Sequence, residues 1–372
     1  MNGFNLSDIT DAKLGTTTLC SIYLGSTKLW PLSNIDYSQE YLTIESLADN
    51  NTITWTFTGS TPMQNYIYWS KNGTSWTSAI ASTSNTPVSL ATLNKGEKMY
   101  LKGENVKYAS STSKYSHFNS DAEFNVSGNI MSLIYGDNFI GQTKLSSSYN
   151  FASIFKSSKV YDASNLILPA TTLAPSCYRN MFNGCRSLAT APVLPATTLV
   201  PSCYSNMFNS CSSLTTAPEL PATTLANYCY EYIFSGCTSL TAAPALPATT
   251  LISTCYSSMF RGCTSLTDAP ELPATTLVNY CYENMFYGCS SLATAPILPA
   301  TTLTKGCYSS MFSGCRSLSY IKCLATDISV SYSHDYWLKN VAATGTFVKP
   351  TSMTSWSSGA SGIPSGWTVV NV

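Results

Sequence analysis

The chain has 372 residues, 19 basic and 19 acidic side chains, and a formal net charge of zero. Charged residues are 10% of it, far below an ordinary soluble domain, while Ser and Thr reach roughly 27% and hydrophobic residues 44%. That apolar content excludes a disordered chain. The neutral balance, with a pI near 6.7, excludes the basic footprint of a nucleic-acid binder, and no run approaches the length of about 18 apolar residues that would insert into a bilayer.

Residues 1–35 form the first segment. Its start, MNGFNLSDITDAKLG, has neither a basic n-region nor an apolar h-region, so it reads as an intact start without a secretory signal. Two stretches, KLGTTTL and YLGSTKLW, are predicted to pair with each other as a small hairpin. Residues 36–127 change texture. TITWTF (Thr52–Phe57), YIYWS (Tyr66–Ser70), VSLATL (Val88–Leu93), MYLKG (Met99–Gly103) and FNVSG (Phe124–Gly128) read as short strands. KNGTSW (Lys71–Trp76) holds an Asn-Gly hairpin signal. Turns every 8–12 residues or so predict a small immunoglobulin-like or fibronectin-like β-sandwich acting as a spacer, without a disulfide staple.

Residues 128–167 read as the N-terminal cap of an array, with SGNIMSLIYGDNF (Ser127–Phe139) as the junction. LPATTL then begins at Leu168, Leu194, Leu220, Leu246, Leu272 and Leu298, equally spaced, one unit being the 26-letter string LPATTLAPSCYRNMFNGCRSLATAPV. Six units span residues 168–323, and 324–372 form a degenerate seventh unit and C-terminal cap. Upstream, Ile154-Phe155 and Leu166–Leu168 look like a worn preceding unit with one extra residue. In the seventh, counted from Leu324, Ala325 replaces the proline and Trp337-Leu338 replace Met-Phe. Within a unit, Leu173, Cys177, Met181 and Cys185 are four apart, which predicts a short helix or tight helical turn with one buried face. Thr171 and Thr172 would cap its start and Gly184 its end. Two prolines per unit restrict the rest to a short strand. No such coil buries its apolar face alone, so the fold class predicted is mainly β with short helices, a solenoid of stacked coils.

The hallmarks MFNGCRSL, MFNSCSSL, IFSGCTSL, MFRGCTSL, MFYGCSSL and MFSGCRSL resemble those of BspA-type leucine-rich repeats of bacterial surface proteins. The resemblance runs from about Asn150 to the C-terminus, where GTFVKP…SGIPSGWTVV (Gly345–Val370) is similar to the closure of such arrays. It implies a surface role in adhesion. Asp8–Pro31 resembles N-terminal motifs of structural proteins of phages that infect gut Bacteroidales-like hosts, which implies an attachment segment docking to virion proteins.

Enzyme chemistry finds no support in the residues. His117 and His334 stand far apart without motif neighbours and read as surface or capping residues. Carboxylates such as Asp162, Glu219 and Glu271 are isolated, and no phosphate loop occurs. Twelve of the fourteen cysteines fall into two columns, and within a unit they are eight apart. Their spacing suits neither zinc nor an intra-unit disulfide. A ladder of small buried hydrophobes is the main expectation, bridges between neighbouring coils stay open, and Cys323 is placed in a drifting column. No cofactor and no metal are expected. In a repeat array the buried columns recur and the exposed columns drift. Tyr228, Glu231, Arg261, Tyr280, Glu283 and Tyr287 interrupt the neutral exposed columns and are the candidate partner-binding residues. Asn-Tyr-Cys-Tyr-Glu occurs twice, at 227–231 and 279–283.

The sequence thus reads as a non-enzymatic phage structural or adhesion protein, a fibre or decoration on the virion that binds a host surface protein or glycan. A bacterial cell-surface adhesin is the alternative and a capsule depolymerase the second. Its oligomeric state is open, including a homo-oligomer.

Overall fold

The computed structural model describes residues 36–60 and 63–372, together with the backbone of four short strands between residues 13 and 30. Those strands are β1 (Lys13–Leu14), β2 (Thr17–Thr18), β3 (Ile22–Leu24) and β4 (Thr27–Trp30). β1 pairs with β2 and β3 with β4, both antiparallel. KLGTTTL and YLGSTKLW therefore each fold back on themselves instead of pairing with each other. A connection within a stretch costs less chain entropy to close than one between stretches. The attachment role expected of residues 1–35 lies outside the described residues.

Residues 36–167 build two sheets. The strands are β5 (Leu42–Ser46), β6 (Asn51–Thr58), β7 (Tyr66–Ser70), β8 (Thr77–Ile80), β9 (Val88–Leu93), β10 (Lys98–Gly103), β11 (Ala109–Ser111), β12 (Lys114–Ser120), β13 (Phe124–Asn129) and β14 (Val160–Ile167). One sheet runs β14-β13-β5-β10-β7-β8, the other β11-β12-β6-β9. The period-two alternation read from the sequence puts Ile53, Trp55 and Phe57 of β6 in the same core as Leu42 and Ile44 of β5 and Met99 and Leu101 of β10. Asn72 and Gly73 fall in the β7–β8 connection, where Gly73 takes a φ of 74° that favours glycine. After β13 comes the one α-helix among the described residues, α1 (Ser132–Tyr135). A 3-10 turn at Gly136–Asn138 follows it. Asp137 in that turn receives Lys102 Nζ at 2.7 and 2.9 Å and the Tyr41 hydroxyl at 2.7 Å, and Lys102 also lies 4.2 Å from the Trp76 ring centre. Burial and the neighbouring carboxylate push Tyr41 up to about 12, and the Lys102 and Tyr41 hydrogen bonds lower Asp137.

β14 is parallel to β13, so the larger sheet passes directly into the repeats. There the strands shrink to single bridges, such as Asp162↔Thr190, Thr216↔Ala242 and Ala242↔Asp268, because the prolines of A-P-x-L-P have no N–H to extend them. A sheet re-forms at the far end from β15 (Tyr320–Lys322), β16 (Gly345–Lys349) and β17 (Trp367–Asn371), all parallel.

The expected helix of each unit is absent. Residues 174–185 form a run of turns in which Ser176, Asn180 and Gly184 take φ values of 57°, 57° and 77°. A left-handed residue every fourth position cannot belong to an α-helix. Cys177, Arg179, Met181, Asn183 and Cys185 donate their N–H groups three residues back within the coil, at 2.9–3.2 Å. Tyr178, Asn180, Phe182 and Gly184 donate to Cys203, Ser205, Met207 and Asn209 of the next coil, at 2.8–3.0 Å. Local and inter-coil bonds thus alternate. The spacing of four came from a turn repeat instead of a 3.6-residue helix. The expected helix caps are accordingly not caps. Thr172 bridges Lys144 of the preceding coil, and Thr171 N–H donates to Thr143.

The same triplet of positive φ occurs at Tyr149, Ser153 and Ser157, and again at Tyr332, Tyr336 and Asn340. The worn upstream unit is therefore a full coil. It stands one residue further ahead of the first repeat than the later coils stand from each other, since Phe155 N–H bonds Met181 O where Phe182 N–H bonds Met207 O. The seventh unit starts one residue earlier than expected. Leu298 bridges Cys323 and Thr302 bridges Asp327. Cys323 stands in the buried leucine column, fully inaccessible, and not in a drifting one.

Inside the turn runs, residues alternate two in and two out. Two ring ladders result, Tyr178-204-230-256-282-308 and Phe182-208-234-260-286-312, with centroids 5.5–6.4 Å apart and planes within 16°. That is offset stacking in its favourable range. Upstream the ladders continue through Phe151 to Tyr108 and through Phe155 to Phe118, and both end on Trp55. Downstream, Tyr308 stacks on Trp337 and Trp337 on Trp356.

All thirteen described cysteines are free and buried. The second column does more than fill space. Cys211, Cys237, Cys263, Cys289 and Cys315 each lie with Sγ 3.0–3.1 Å from the carbonyl oxygen of the Phe in the preceding coil, and Cys185 at 2.9 Å from Phe155 O. The thiol donates, so it must stay protonated, and burial pushes Cys237 and Cys315 up to about 12. Cys237→Ala should lower unfolding free energy by about 1–2 kcal/mol and Cys237→Ser by less, in reversible denaturant titrations. The thiol shift also sets a pH dependence. Stability is complete below the ordinary thiol value of 9.0 and falls as pH rises toward about 12, because the unfolded state loses its thiol protons first. Denaturation midpoints should therefore drop steadily above pH 9, before any change below it.

Candidate functional site

The outward positions of the turn run form three columns. The first left-handed position holds Ser176, Ser202, Tyr228, Thr254, Tyr280, Gly306 and Tyr332. Three residues on, the second holds Arg179, Ser205, Glu231, Ser257, Glu283, Ser309 and Asp335. The third, ahead of the last left-handed position, holds Asn183, Asn209, Ser235, Arg261, Tyr287, Ser313 and Lys339. All six candidate residues therefore fall on one face, because the residues between them, Cys-Tyr and Met-Phe, point inward.

Their surroundings differ. Tyr228 is 44% exposed. Tyr280 is half-buried, with its ring lying over Gly306 of the next coil. A Cβ built on Gly306 would meet its Cδ1 at 2.2 Å. Lys305 Nζ sits 5.8 Å from the same ring centre. Glycine at 306 is thus required by the neighbouring ring, since Ser, Thr and Tyr hold φ values of 57–64° at the other positions of the same column. Arg261 and Tyr287 share one column in adjacent coils, and the guanidinium carbon lies 4.6 Å from the ring centre, a cation–π pair.

Glu231 and Glu283 are half-buried and two coils apart, with Ser257 between them. Burial raises the Glu231 carboxyl above its ordinary value. Arg179 and the Ser205 hydroxyl, which donates to Oε2 at 3.4 Å, oppose that, while Glu283 adds to it. Burial also raises Glu283.

The structure adds a third member that sequence reasoning missed. Tyr332 and Asp335 stand in the columns of Tyr228/Glu231 and Tyr280/Glu283, again two coils on. Tyr332 is 65% exposed, and Lys339 Nζ lies 5.3 Å from the ring centre of the neighbouring Tyr336. The signal was present as Tyr-x-x-Glu/Asp in every second coil, hidden because the seventh unit has lost its cysteines.

Other expectations are placed as follows. His117 is half-buried on β12, beside Tyr115 and Lys156, and burial lowers it to about 4. His334 is held by the Ser333 hydroxyl at 2.7 Å and packs edge-on to Trp337 and Trp356. Glu219 and Glu271 lie away from the turn-run face, on proline-lined clefts of about 400 and 330 Å³. Among the described residues no group of three or more His, Cys, Asp or Glu could hold a metal, and no helix is long and apolar enough to cross a membrane.

Because Glu283 is raised in the folded protein, its protonation favours folding as pH falls through the folded-state value. It costs stability above that value. Glu283→Gln should therefore melt at higher temperature than the parent at pH 7. The gap should close at pH 4, in calorimetric scans at matched ionic strength.

A BspA type leucine rich repeat region matches the chain in six copies, over residues 155–270 and 201–341. No curated protein and no solved structure matches it. The two matched spans together run from residue 155 to 341, half of the chain, and their coils are the ones whose Met-Phe, Cys and Leu columns build the stacked core. The chain belongs to the BspA-type leucine-rich repeat family.

Proposed function

We propose that the chain is a non-enzymatic adhesion protein, and that its stacked coils act as one solenoid presenting the turn-run face to a partner. The observation that carries this reading is the recurrence of an outward Tyr with an acidic residue three positions on. It occurs at Tyr228/Glu231, Tyr280/Glu283 and Tyr332/Asp335, in a face whose three columns otherwise carry only Arg179, Arg261 and Lys339 as charges. Aromatic faces beside half-buried carboxylates suit a host surface protein, or a glycan whose apolar ring face stacks on tyrosine while its hydroxyls donate to the acid. The family's association with surface adhesion and protein binding supports it. The two-sheet unit is then an immunoglobulin-like β-sandwich that holds the array away from its anchor.

Two settings fit this role equally. In one, the protein is a virion fibre or decoration of a phage of a gut Bacteroidales-like host, docked to particle proteins through residues 1–35. In the other, it is a bacterial cell-surface adhesin. Copurification with virus particles supports the first, and copurification with envelope fractions supports the second.

The binding role is tested with purified protein on host cells and glycan arrays. Tyr228→Ala/Tyr332→Ala should weaken retention about tenfold or more, and Glu231→Gln/Glu283→Gln should weaken it less. Full binding by the tyrosine double variant, with unchanged melting, would overturn this face as the site.

A further inference from the structure

Beside the first turn runs, a polar hollow carries a further feature. At the seam between the two-sheet unit and the repeats lies a polar cleft of about 520 Å³, lined by Ser157, Lys159, Asn183, Gly184, Arg186 and Ser210 among others. It adjoins a second hollow of about 480 Å³ through the shared residues Lys159 and Ser187. The larger cleft has two cations in its lining and no carboxylate. Lys159 and Arg186 occupy the same column of consecutive coils, at the same offset as Phe155 and Phe182. Stacking like charges in one column is unfavourable unless an anion joins them. Among the described residues neither cation is in an ion pair. Lys159 Nζ donates to the Asp121 carbonyl oxygen, and Arg186 has no ionic partner among the same residues.

The wall of the cleft departs from the repeat in a way that packing does not call for. The last left-handed position is glycine in five units, at 184, 236, 262, 288 and 314, but serine at 210, with a φ of 61°. In the cleft, Ser157 and Ser210 flank Gly184 in one column of three consecutive coils. A Cβ on Gly184 would stand 3.0 Å from Ser157 Oγ, so glycine keeps the middle open between Ser157 and Ser210, whose hydroxyl donates to Asn209 Oδ1 at 2.8 Å and keeps its lone pairs for a donor.

We propose that this cleft binds an acidic saccharide, its carboxylate held between Arg186 and Lys159 and its hydroxyls met by Ser157, Asn183, Ser187 and Ser210. A guanidinium grips a carboxylate through two parallel hydrogen bonds, and the ammonium adds a point charge. The hydroxyl and amide lining of the cleft suits a ligand rich in hydroxyl groups. The site shares only Asn183 with the outward columns and contains none of Tyr228, Glu231, Tyr280 or Glu283.

The test is calorimetric titration of the full chain with hexagalacturonate, with maltohexaose as the neutral probe of equal length and inorganic sulfate as competitor. Hexagalacturonate should bind, more weakly as salt is raised, and sulfate should displace it. Maltohexaose should not bind. Arg186→Gln and Lys159→Gln should each lower the affinity about tenfold or more. Arg316→Gln, in the same column at the far end of the array, should leave it unchanged. All three positions are exposed, so every variant should stay folded, which a melting scan checks. Equal binding of maltohexaose, full binding by Arg186→Gln/Lys159→Gln, or equal loss in Arg316→Gln would overturn the proposal.

Discussion

Every second N–H of a turn run leaves its own coil. Tyr178, Asn180, Phe182 and Gly184 bond only to carbonyls of the following coil, and the same holds through Tyr308, Ser310, Phe312 and Gly314. A single coil would strand these donors, and unpaired buried N–H groups are costly. It would also leave one face of its Tyr and Phe rings uncovered. Each coil therefore needs a neighbour on both sides, and the ends of the array must be closed by something other than a repeat. At the start the two-sheet unit does this, offering Tyr108 and Phe118 to the ladders and β13 to the sheet. At the finish two tryptophans take over, with Trp337 Nε1 anchored to the Gly362 carbonyl at 3.1 Å. The two-sheet unit and the repeats are consequently one continuous hydrogen-bonded and stacked structure.

The same constraint explains the cysteines. The Phe carbonyl of each coil accepts the N–H of the Cys three residues on and also the thiol of the Cys in the next coil, as at Phe208 with Cys211 N–H and Cys237 Sγ. A bulkier residue would force the coils apart. An alanine would leave the second lone pair without a donor. Cysteine fits because it is small, apolar and still a weak donor. The thiols are packing and bonding units with pKa values raised by burial, which removes them from redox chemistry at ordinary pH.

Much of this was legible in the sequence. The constant repeat step, the inward Met-Phe and Cys columns, the strands β7 and β9, and the Asn72-Gly73 turn all follow from periodicity and turn chemistry. The helix did not, for an instructive reason. Apolar residues at a spacing of four satisfy a helix and a run of four-residue turns alike. The deciding sign is the class of residue at 176, 180 and 184: Ser, Asn and Gly, small polar residues tolerant of positive φ. Tyrosines at 228, 232 and 280 blur that sign. The β5 and β12 strands were missed because Leu42–Ser46 is short and Lys114–Ser120 is mostly Ser, Asn and Lys, and their strand character comes from partners distant in sequence. Of the candidate face, the columns were legible and the contacts were not. Nothing in the string Asn-Tyr-Cys-Tyr-Glu tells that Tyr280 folds onto Gly306 while Tyr228 does not.

That difference ranks the tyrosines. A left-handed backbone penalises a large side chain. Tyr228, Tyr280 and Tyr332 nonetheless hold φ values of 60°, 59° and 64°, so each is retained for what its ring contacts. For Tyr280 the contact is internal: the ring covers Gly306 and meets Lys305. Tyr228 and Tyr332 stand 44% and 65% exposed, and among the described residues neither ring has an aromatic or cationic partner. The proposed outward role therefore rests first on Tyr228 and Tyr332, four coils apart, while the Tyr280 ring between them covers Gly306 of the next coil.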